Sequence, residues 1–238
     1  MNKVKTLRVD LPRTAIAKIT LINLINDKHL ADAATSPLLH LTAYDWTVLG
    51  QDAVTARNFH DTAEQSKRDA IHTTELRDTN IAALMLTIQS TRDVLLGCFA
   101  NNPRRLADWG FNTMAAANSN SNSRKVRVEI PRNATDFLNL CAAVYAKHLA
   151  DGSTSVLNLI QDYPWSVAGS LIADTIQLNI DSARLSRESE KSYEARDILL
   201  KNFDAAIKGT RTFLLGLYKK TPKTLGDWGF IVNDTPKS

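Results

Sequence analysis

The sequence predicts an all-α fold, a tandem duplication of a unit with three main helices that forms one or two helical bundles, with a small β-ribbon from the repeat ends. Residues 7–111 align without a gap with residues 126–230, and 34 of the 105 aligned pairs are identical. Self-similarity of this kind indicates a repeated structural unit. Each copy has a stretch of about 55 residues without proline, and apolar residues recur at helical spacing.

The repeats divide the chain into helical repeat 1 (residues 7–111), a polar linker (residues 112–125) and helical repeat 2 (residues 126–230). The linker contains an alternating run of asparagine and serine, which is typical of flexible connections. The two repeats can close two separate bundles or share one core with pseudo-twofold symmetry. The sequence leaves both arrangements open.

Each repeat opens with a short segment, residues 7–11 or 126–130, in which apolar and charged residues alternate. A period of two residues is typical of a β-strand. Each repeat also closes with Trp-Gly-Phe, followed in the second repeat by Ile231 and Val232. We therefore expect the closing segment to pair beside an opening strand as a β-ribbon.

The first helix of each repeat is predicted to begin at Pro12 or Pro131, since proline has no N–H to lose at the first helical position. It is expected to run to about Asp32 in the first repeat and Asp151 in the second. Gly152 then provides a C-terminal stop.

The proline-free stretch that follows predicts long helices. A single helix through it would be about 80 Å long, which is more than a compact unit accommodates. We therefore expect two long helices in each repeat, with a break near residues 64–73 and near residues 187–192.

Tryptophans and glycines at matching positions are expected to serve packing. Buried aromatic side chains anchor a core, whereas an exposed aromatic patch would mark a partner site. Glycine inside a helix costs about 1 kcal/mol relative to alanine, so its presence in both repeats predicts close approach of helices. The tryptophans are Trp46, Trp109, Trp165 and Trp228, and the glycines are Gly50, Gly97, Gly169 and Gly216.

The formal net charge is +4, but the two repeats are themselves balanced. Residues 7–111 hold 11 basic and 12 acidic residues, and residues 126–230 hold 13 and 12. Because nucleic-acid-binding proteins gather basic residues on one folded face, this distribution argues against a nucleic-acid partner. No apolar run reaches the roughly 18 residues of a membrane span, and no secretory signal precedes the first repeat. The sequence therefore predicts a cytoplasmic protein without a membrane partner.

The two cysteines, Cys98 and Cys141, do not occupy matching positions in the repeats. A duplicated disulfide or zinc site would place cysteines in pairs within each copy. Both lie among apolar residues, so we expect two buried free thiols in a reducing compartment.

Ten charged residues at matching positions are the strongest candidate for a functional site. They are Arg68, Glu75, Arg77, Asp78 and Arg92 in the first repeat and Arg187, Glu194, Arg196, Asp197 and Arg211 in the second. On a continuous helix their spacing places most of each set on one broad face. Turned inward, this face forms a buried ionic network, either a polar ligand pocket or a device that fixes register. Turned outward, it is a solvated face with ion pairs one turn apart.

His29 and His148 are the second candidate, because an aspartate, Asp32 or Asp151, follows each of them three residues later. An imidazole oriented by a carboxylate can transfer protons or bind a metal. Each histidine also lies near a predicted helix C-terminus, where a cation or a hydrogen-bonding cap is favoured for structural reasons. We prefer the structural interpretation.

A ferritin-like metal site requires Glu-x-x-His patterns on facing helices. The nearest match places Asp69 three residues before His72, but the second repeat has Lys191 in place of the histidine. His60 and Glu64 are spaced for one helix face, yet neither has a counterpart in the second repeat. No metal and no cofactor is therefore predicted, and no phosphate loop or nucleophile motif occurs.

The segment from Pro222 to Phe230, together with the upstream Glu-x-Arg-Asp pattern, resembles the ending of uncharacterised bacterial tandem-repeat helical proteins that close in Asp-Trp-Gly-Phe. The resemblance covers these short stretches, once in each repeat. It implies no activity, cofactor or site residue.

The sequence assigns no reaction. The absence of catalytic motifs and the matched packing residues favour a non-enzymatic helical structural or protein-interaction protein, whose partner is a second copy of the chain or another protein. The alternative is a small-molecule- or metal-binding helical bundle, for which a ferritin-like oxidoreductase is the nearest enzyme class.

Overall fold

A computed structural model describes residues 6–115 and 126–235 of the chain, and helices dominate these residues. The long elements are α1 (Ala15–Asp32), α2 (Trp46–Cys98), α3 (Ala134–Asp151) and α4 (Trp165–Leu217). The strands are β1 (Thr6–Asp10), β2 (Asn112–Ala115), β3 (Val126–Glu129) and β4 (Ile231–Thr235). Short 3₁₀ turns connect them at Ala33–Thr35, Pro37–His40, Pro103–Trp109, Gly152–Thr154, Val156–Leu159 and Pro222–Trp228. The predicted all-α class is confirmed.

The chain forms two compact units, and each unit draws on both halves of the sequence. Unit 1 combines Met1–Lys67 with Ser186–Ser238, and unit 2 is the continuous segment Arg68–Leu185. Each unit therefore takes one end of α2 and the opposite end of α4. Of the predicted linker 112–125, the first four residues form β2 and residues 116–125 lie outside the described residues.

The long helices are uninterrupted, so the expectation of breaks near residues 64–73 and 187–192 is wrong. Both α2 and α4 have 53 residues. Neither segment contains a proline or glycine, and polar side chains there are compatible with an exposed helix face. Helices of this length are accommodated because each of them belongs to two compact units and not to one.

The first helix of each repeat begins later than its proline predicts. Thr14 is the N-cap of α1, and its hydroxyl accepts a hydrogen bond from the Ala17 amide. Asn133 is the N-cap of α3, and its side chain accepts from the amides of the second and third helical residues. Side-chain acceptors satisfy the free N–H groups at a helix start, so the two predicted prolines lie outside the helices.

The helix C-termini differ in one residue. Gly152 ends α3 with φ 53°, which confirms the predicted stop. The matching residue of α1 is Ala33, with φ 45°. Positive φ is open to glycine but costs an alanine steric energy, so α1 ends in a strained residue.

The core of unit 1 is built where α1 meets the first half of α2 and the second half of α4. Its largest buried side chains include Trp46, Phe203 and Trp228. β1 pairs antiparallel with β4 beside this core, with Val9 opposite Val232. The opening strand of repeat 1 thus pairs with the closing strand of repeat 2.

The core of unit 2 is built in the same way, where α3 meets the second half of α2 and the first half of α4. Its largest buried side chains include Trp109, Phe137 and Trp165, with Leu84 and Ile88 from α2. β2 pairs antiparallel with β3, with Thr113 opposite Val128. The expectation of a β-ribbon at the repeat ends is therefore confirmed twice.

Among the described helices, α2 is the one whose length and apolar composition would suffice to cross a membrane. The core helix of a soluble protein satisfies the same criterion. Leu84, Ile88 and Leu95 of α2 are fully buried in the core of unit 2.

Candidate functional site

The two candidate histidines occupy equivalent corners, one in each unit. His29 Nδ1 lies 2.6 Å from the Ser36 hydroxyl, and His148 Nδ1 lies 2.7 Å from the Ser155 hydroxyl. Both serines are buried, and each imidazole packs beside the tryptophan that begins the following long helix. A hydroxyl rather than a carboxylate orients each ring.

The neighbouring aspartates are bound to lysines. Lys28 contacts Asp32 at 2.6 Å, and Lys147 contacts Asp151 at 2.5 Å. The hydrogen bond with Asp32 raises the pKa of Lys28. Both pairs span one turn at the helix end, so the geometry fits the structural interpretation of these corners.

The same lysines cover the closing tryptophans. Lys28 Nζ lies 5.8 Å from the ring centroid of Trp228, and Lys147 Nζ lies 5.7 Å from that of Trp109. A cation over an indole face is favourable. All four tryptophans are at most 4% exposed, which confirms that they are packing anchors.

Arg77 and Arg196 occupy matching positions, and each joins α2 to α4 within its own unit. In unit 2, Arg77 Nη1 donates to Asn179 Oδ1 over 3.2 Å. In unit 1, Arg196 Nη1 donates to His60 Nδ1 over 2.9 Å. Arginine can only donate, so His60 Nδ1 is the acceptor of this hydrogen bond.

The aspartate that follows each arginine braces it. Nε and Nη2 of Arg77 donate to Asp78 Oδ1 at 2.9 and 2.7 Å, and Arg196 binds Asp197 at 2.8 and 2.6 Å. The arginine side chains are 20% and 14% exposed, whereas the aspartates are more than half exposed. The matched Arg-Asp pairs therefore tie the two long helices together.

Unit 1 adds an aromatic side chain to this contact. The Tyr193 hydroxyl donates to Glu64 Oε1, and the Arg196 guanidinium carbon lies 4.6 Å from the centroid of the Tyr193 ring. Glu64 and His60, weighed in the sequence as a metal pair, thus contact α4 across the helix pair. No local sequence pattern indicates this contact, because it joins residues more than 120 positions apart.

The other members of the set of ten matched charged residues do not come together in one cluster. The side chains of Arg68, Glu75, Arg187 and Glu194 are exposed, as the outward interpretation expects. Arg92 donates to Asp93 Oδ1 from Nε and Nη2, at 2.9 and 2.8 Å. The buried Arg211 Nε has no hydrogen-bond partner among the described residues.

In the described ranges 6–115 and 126–235, no three histidine, cysteine, aspartate or glutamate side chains are grouped as metal ligands. Asp69 and His72, the nearest ferritin-like match, are both exposed. Cys141 is buried, and burial raises the pKa of its thiol to about 12. Cys98, the last residue of α2, is exposed, so the expectation of two buried thiols is wrong for Cys98.

Sequence reasoning missed a polar groove in unit 2, where β3 leads into α3. The groove has a volume of 830 Å³ and is open to solvent. Three arginines line it, from three different segments: Arg92, Arg127 and Arg132. The repeated Arg-Val-acid-apolar-Pro-Arg pattern, present at the start of both repeats, is the sequence signal that points to it.

Compared with protein-family models, curated proteins and solved structures, the chain matches none of them.

Proposed function

We propose that this chain is a non-enzymatic helical structural protein that acts by protein–protein interaction, with a second copy of the chain as its partner. The proposal follows from where polar and apolar side chains are placed. The matched histidines and the Arg-Asp pairs are engaged in internal contacts that hold each unit together. Because these side chains are engaged in internal contacts, few of their polar groups remain to bind or react with a substrate.

A pair of apolar positions is the observation that carries the proposal. Leu30 and Leu149 are identical in the two repeats and are 61% and 60% exposed. Val48 and Val167 are likewise identical and are 48% and 61% exposed. Single exposed apolar residues are ordinary, but these apolar side chains occur twice, at the same places beside the histidine corners. A surface that repeats in both units suits a symmetric partner such as a second copy.

Native mass spectrometry of the full chain tests the proposal. We expect the wild-type protein to form a defined oligomer and the variant Leu30→Lys/Leu149→Lys to be monomeric, because charge would be buried in the interface. Ile71→Lys/Ile198→Lys is the matched control, since both isoleucines are more than half exposed but are not repeated. A monomeric wild-type protein, or equal dissociation of both variants, would contradict the proposal.

The polar groove of unit 2 favours a second candidate function, small-molecule binding. Its volume lies within the range of ligand sites, and its lining is rich in hydrogen-bond donors. No comparable observation supports the metal-binding, ferritin-like form of this alternative.

A further inference from the structure

We propose that the groove of unit 2 binds a small phosphorylated molecule that carries hydroxyl groups, such as a sugar phosphate. This inference rests on the second candidate function and names its ligand class; it does not depend on self-association. The groove is defined by α2, β2, β3 and the start of α3, all within unit 2.

The donors of the groove suit a phosphate group. Arg92, Arg127 and Arg132 present guanidinium groups, and Gln89 and Asn112 add neutral amides. Guanidinium groups match the oxygens of phosphate in bidentate geometry and remain charged at all physiological pH values.

Two of these arginines are held in place before any ligand arrives. Arg92 directs Nε and Nη2 to Asp93, which leaves Nη1 free. Arg127 Nε contacts Glu129 Oε1 at 3.1 Å, which leaves both terminal nitrogens free. Bracing lowers the entropy that ordering these long side chains would otherwise cost. Arg132 is exposed and forms no ion pair with another described residue.

Two carboxylates in the same groove decide what the rest of the ligand must offer. Glu129 and Asp136 line it beside the arginines. Glu129 is bound to Arg127, so it is Asp136 whose charge would repel a bare anion, and the oxygens of an ionised carboxylate can only accept hydrogen bonds. Hydroxyl groups attached to the phosphate would donate to them, so the mixed lining selects a phosphorylated polyol over inorganic phosphate.

The equivalent groove of unit 1 shows what distinguishes this site. It has a volume of 320 Å³ and is crossed by an ion pair between Lys18 and Asp204, at 2.8 Å. Phe137 and Met85 occupy the matching positions in unit 2 and cannot form this bridge. The cationic residues that line the groove of unit 1 are Arg13, Lys18 and Lys208, and Lys18 is bound to Asp204.

Calorimetric titration of the full chain with glucose 6-phosphate tests the proposal, with glucose and inorganic phosphate as separate probes at constant ionic strength. We expect saturable binding of glucose 6-phosphate. The variant Arg127→Gln/Arg132→Gln should bind at least about tenfold more weakly, since each lost charge-assisted hydrogen bond is worth about a factor of ten. The matched variant Arg8→Gln/Arg13→Gln in unit 1 should bind like wild type.

The variant Asp136→Asn tests whether a ligand hydroxyl binds the Asp136 carboxylate, separately from the effect of its negative charge. This variant should bind glucose 6-phosphate more weakly, because an amide is a poorer hydrogen-bond acceptor than a carboxylate. It should bind inorganic phosphate more tightly, because a repulsive charge has been removed. Circular dichroism and the Tm of each variant check that the fold is kept. No saturable binding, or equal weakening by both arginine pairs, would overturn the site; equal effects of Asp136→Asn on both probes would overturn the hydroxyl contact. Either failure leaves the oligomer measured by mass spectrometry unchanged.

Discussion

The indole Nε1 of Trp165 donates a hydrogen bond to the Thr91 hydroxyl over 3.0 Å, inside the core of unit 2. The matching pair in unit 1 is Trp46 and Thr210. Both are buried, yet neither Trp46 Nε1 nor Thr210 Oγ1 has a hydrogen-bond partner among the described residues. The two units thus hold the same two side chains, once with and once without a hydrogen bond between them.

Replacing the two threonines by valine should therefore have unequal effects. Thr91→Val leaves the buried Trp165 N–H without an acceptor and should lower the free energy of unfolding by about 1–3 kcal/mol. Thr210→Val removes a buried hydroxyl that is already unpaired, so it should leave the free energy of unfolding unchanged or raise it. Urea unfolding of both variants measures the difference. Equal losses would show that the hydrogen bond does not stabilise unit 2.

The helix ends at residues 33 and 152 offer a second matched comparison. Ala33→Gly relieves an alanine held at φ 45°, and we expect a gain of about 1 kcal/mol in the free energy of unfolding. Gly152→Ala places a Cβ at φ 53° and should cost a similar amount. Thermal unfolding of the two single variants should show shifts of Tm in opposite directions; shifts of the same sign would contradict the assignment of strain to Ala33.

The matched helical glycines divide into two kinds. A Cβ at Gly50 would collide with the side chain of Asn26, and one at Gly169 would collide with Tyr145, whereas Gly97 and Gly216 have open space around them. The prediction of close approach is therefore confirmed for the first pair and wrong for the second.

Substitution of these glycines by alanine should follow that division. Gly97→Ala and Gly216→Ala should each raise the free energy of unfolding by about 0.5–1 kcal/mol, because alanine loses less backbone entropy in a helix. Gly50→Ala and Gly169→Ala should lower it, because the neighbouring side chains must move. Unfolding curves of the four variants measure the sign, and a stabilising Gly50→Ala would contradict the close packing of Asn26.

Local features of the fold and the β-ribbons were predictable from the sequence, whereas the side-chain contacts between distant helices were not. The helices, the strands and the stop at Gly152 follow from periodicity and composition. The contact of Arg196 with His60, or of Trp165 with Thr91, joins distant segments whose pairing no local pattern encodes. The uninterrupted length of α2 differs from the expectation for the same reason, because this helix is shared by two units.

The groove of unit 2 likewise combines a feature that is visible in the sequence with one that depends on the packing of distant segments. The repeated arginines before α1 and α3 were visible as a pattern, but the groove of unit 2 also needs Arg92, which α2 supplies. In unit 2 the apolar residues Phe137 and Met85 stand at the positions of Lys18 and Asp204, whose ion pair crosses the groove of unit 1. The sequence shows that these residues differ between the repeats, but only the structure shows that the two positions face each other across a groove.

The two thiols should differ sharply in reactivity. Cys141 is fully buried, and burial raises the pKa of its thiol from 9.0 to about 12, so almost no thiolate exists near neutral pH. Cys98 is exposed. We expect a thiol reagent at pH 8 to label one cysteine per folded chain and two per unfolded chain. Cys98→Ser should abolish labelling of the folded protein, and rapid labelling of that variant would contradict the burial of Cys141.

The raised pKa also predicts a pH dependence of stability. Above pH 9 the unfolded chain loses the Cys141 proton, whereas the folded chain keeps it until about pH 12. The unfolded state then binds fewer protons, so the free energy of unfolding must fall with rising pH in this window. Cys141→Ala should show a shallower decline than wild type between pH 9 and pH 11; parallel declines would contradict the shift.

Unit 2 should fold as an isolated fragment, although both of its ends cut through a long helix. The segment Arg68–Leu185 contains every member of the unit 2 core, from Leu84 to Ile172. Residues 126–238, which comprise the whole of repeat 2, contain Phe203 and Trp228 but lack Trp46, with which these residues share a core. We therefore expect the fragment of residues 68–185 to show a cooperative thermal transition and dispersed amide resonances. Residues 126–238 should show neither as a monomer, because half of each core is absent. The opposite result would establish the sequence repeats, and not the compact units, as the independently folding domains.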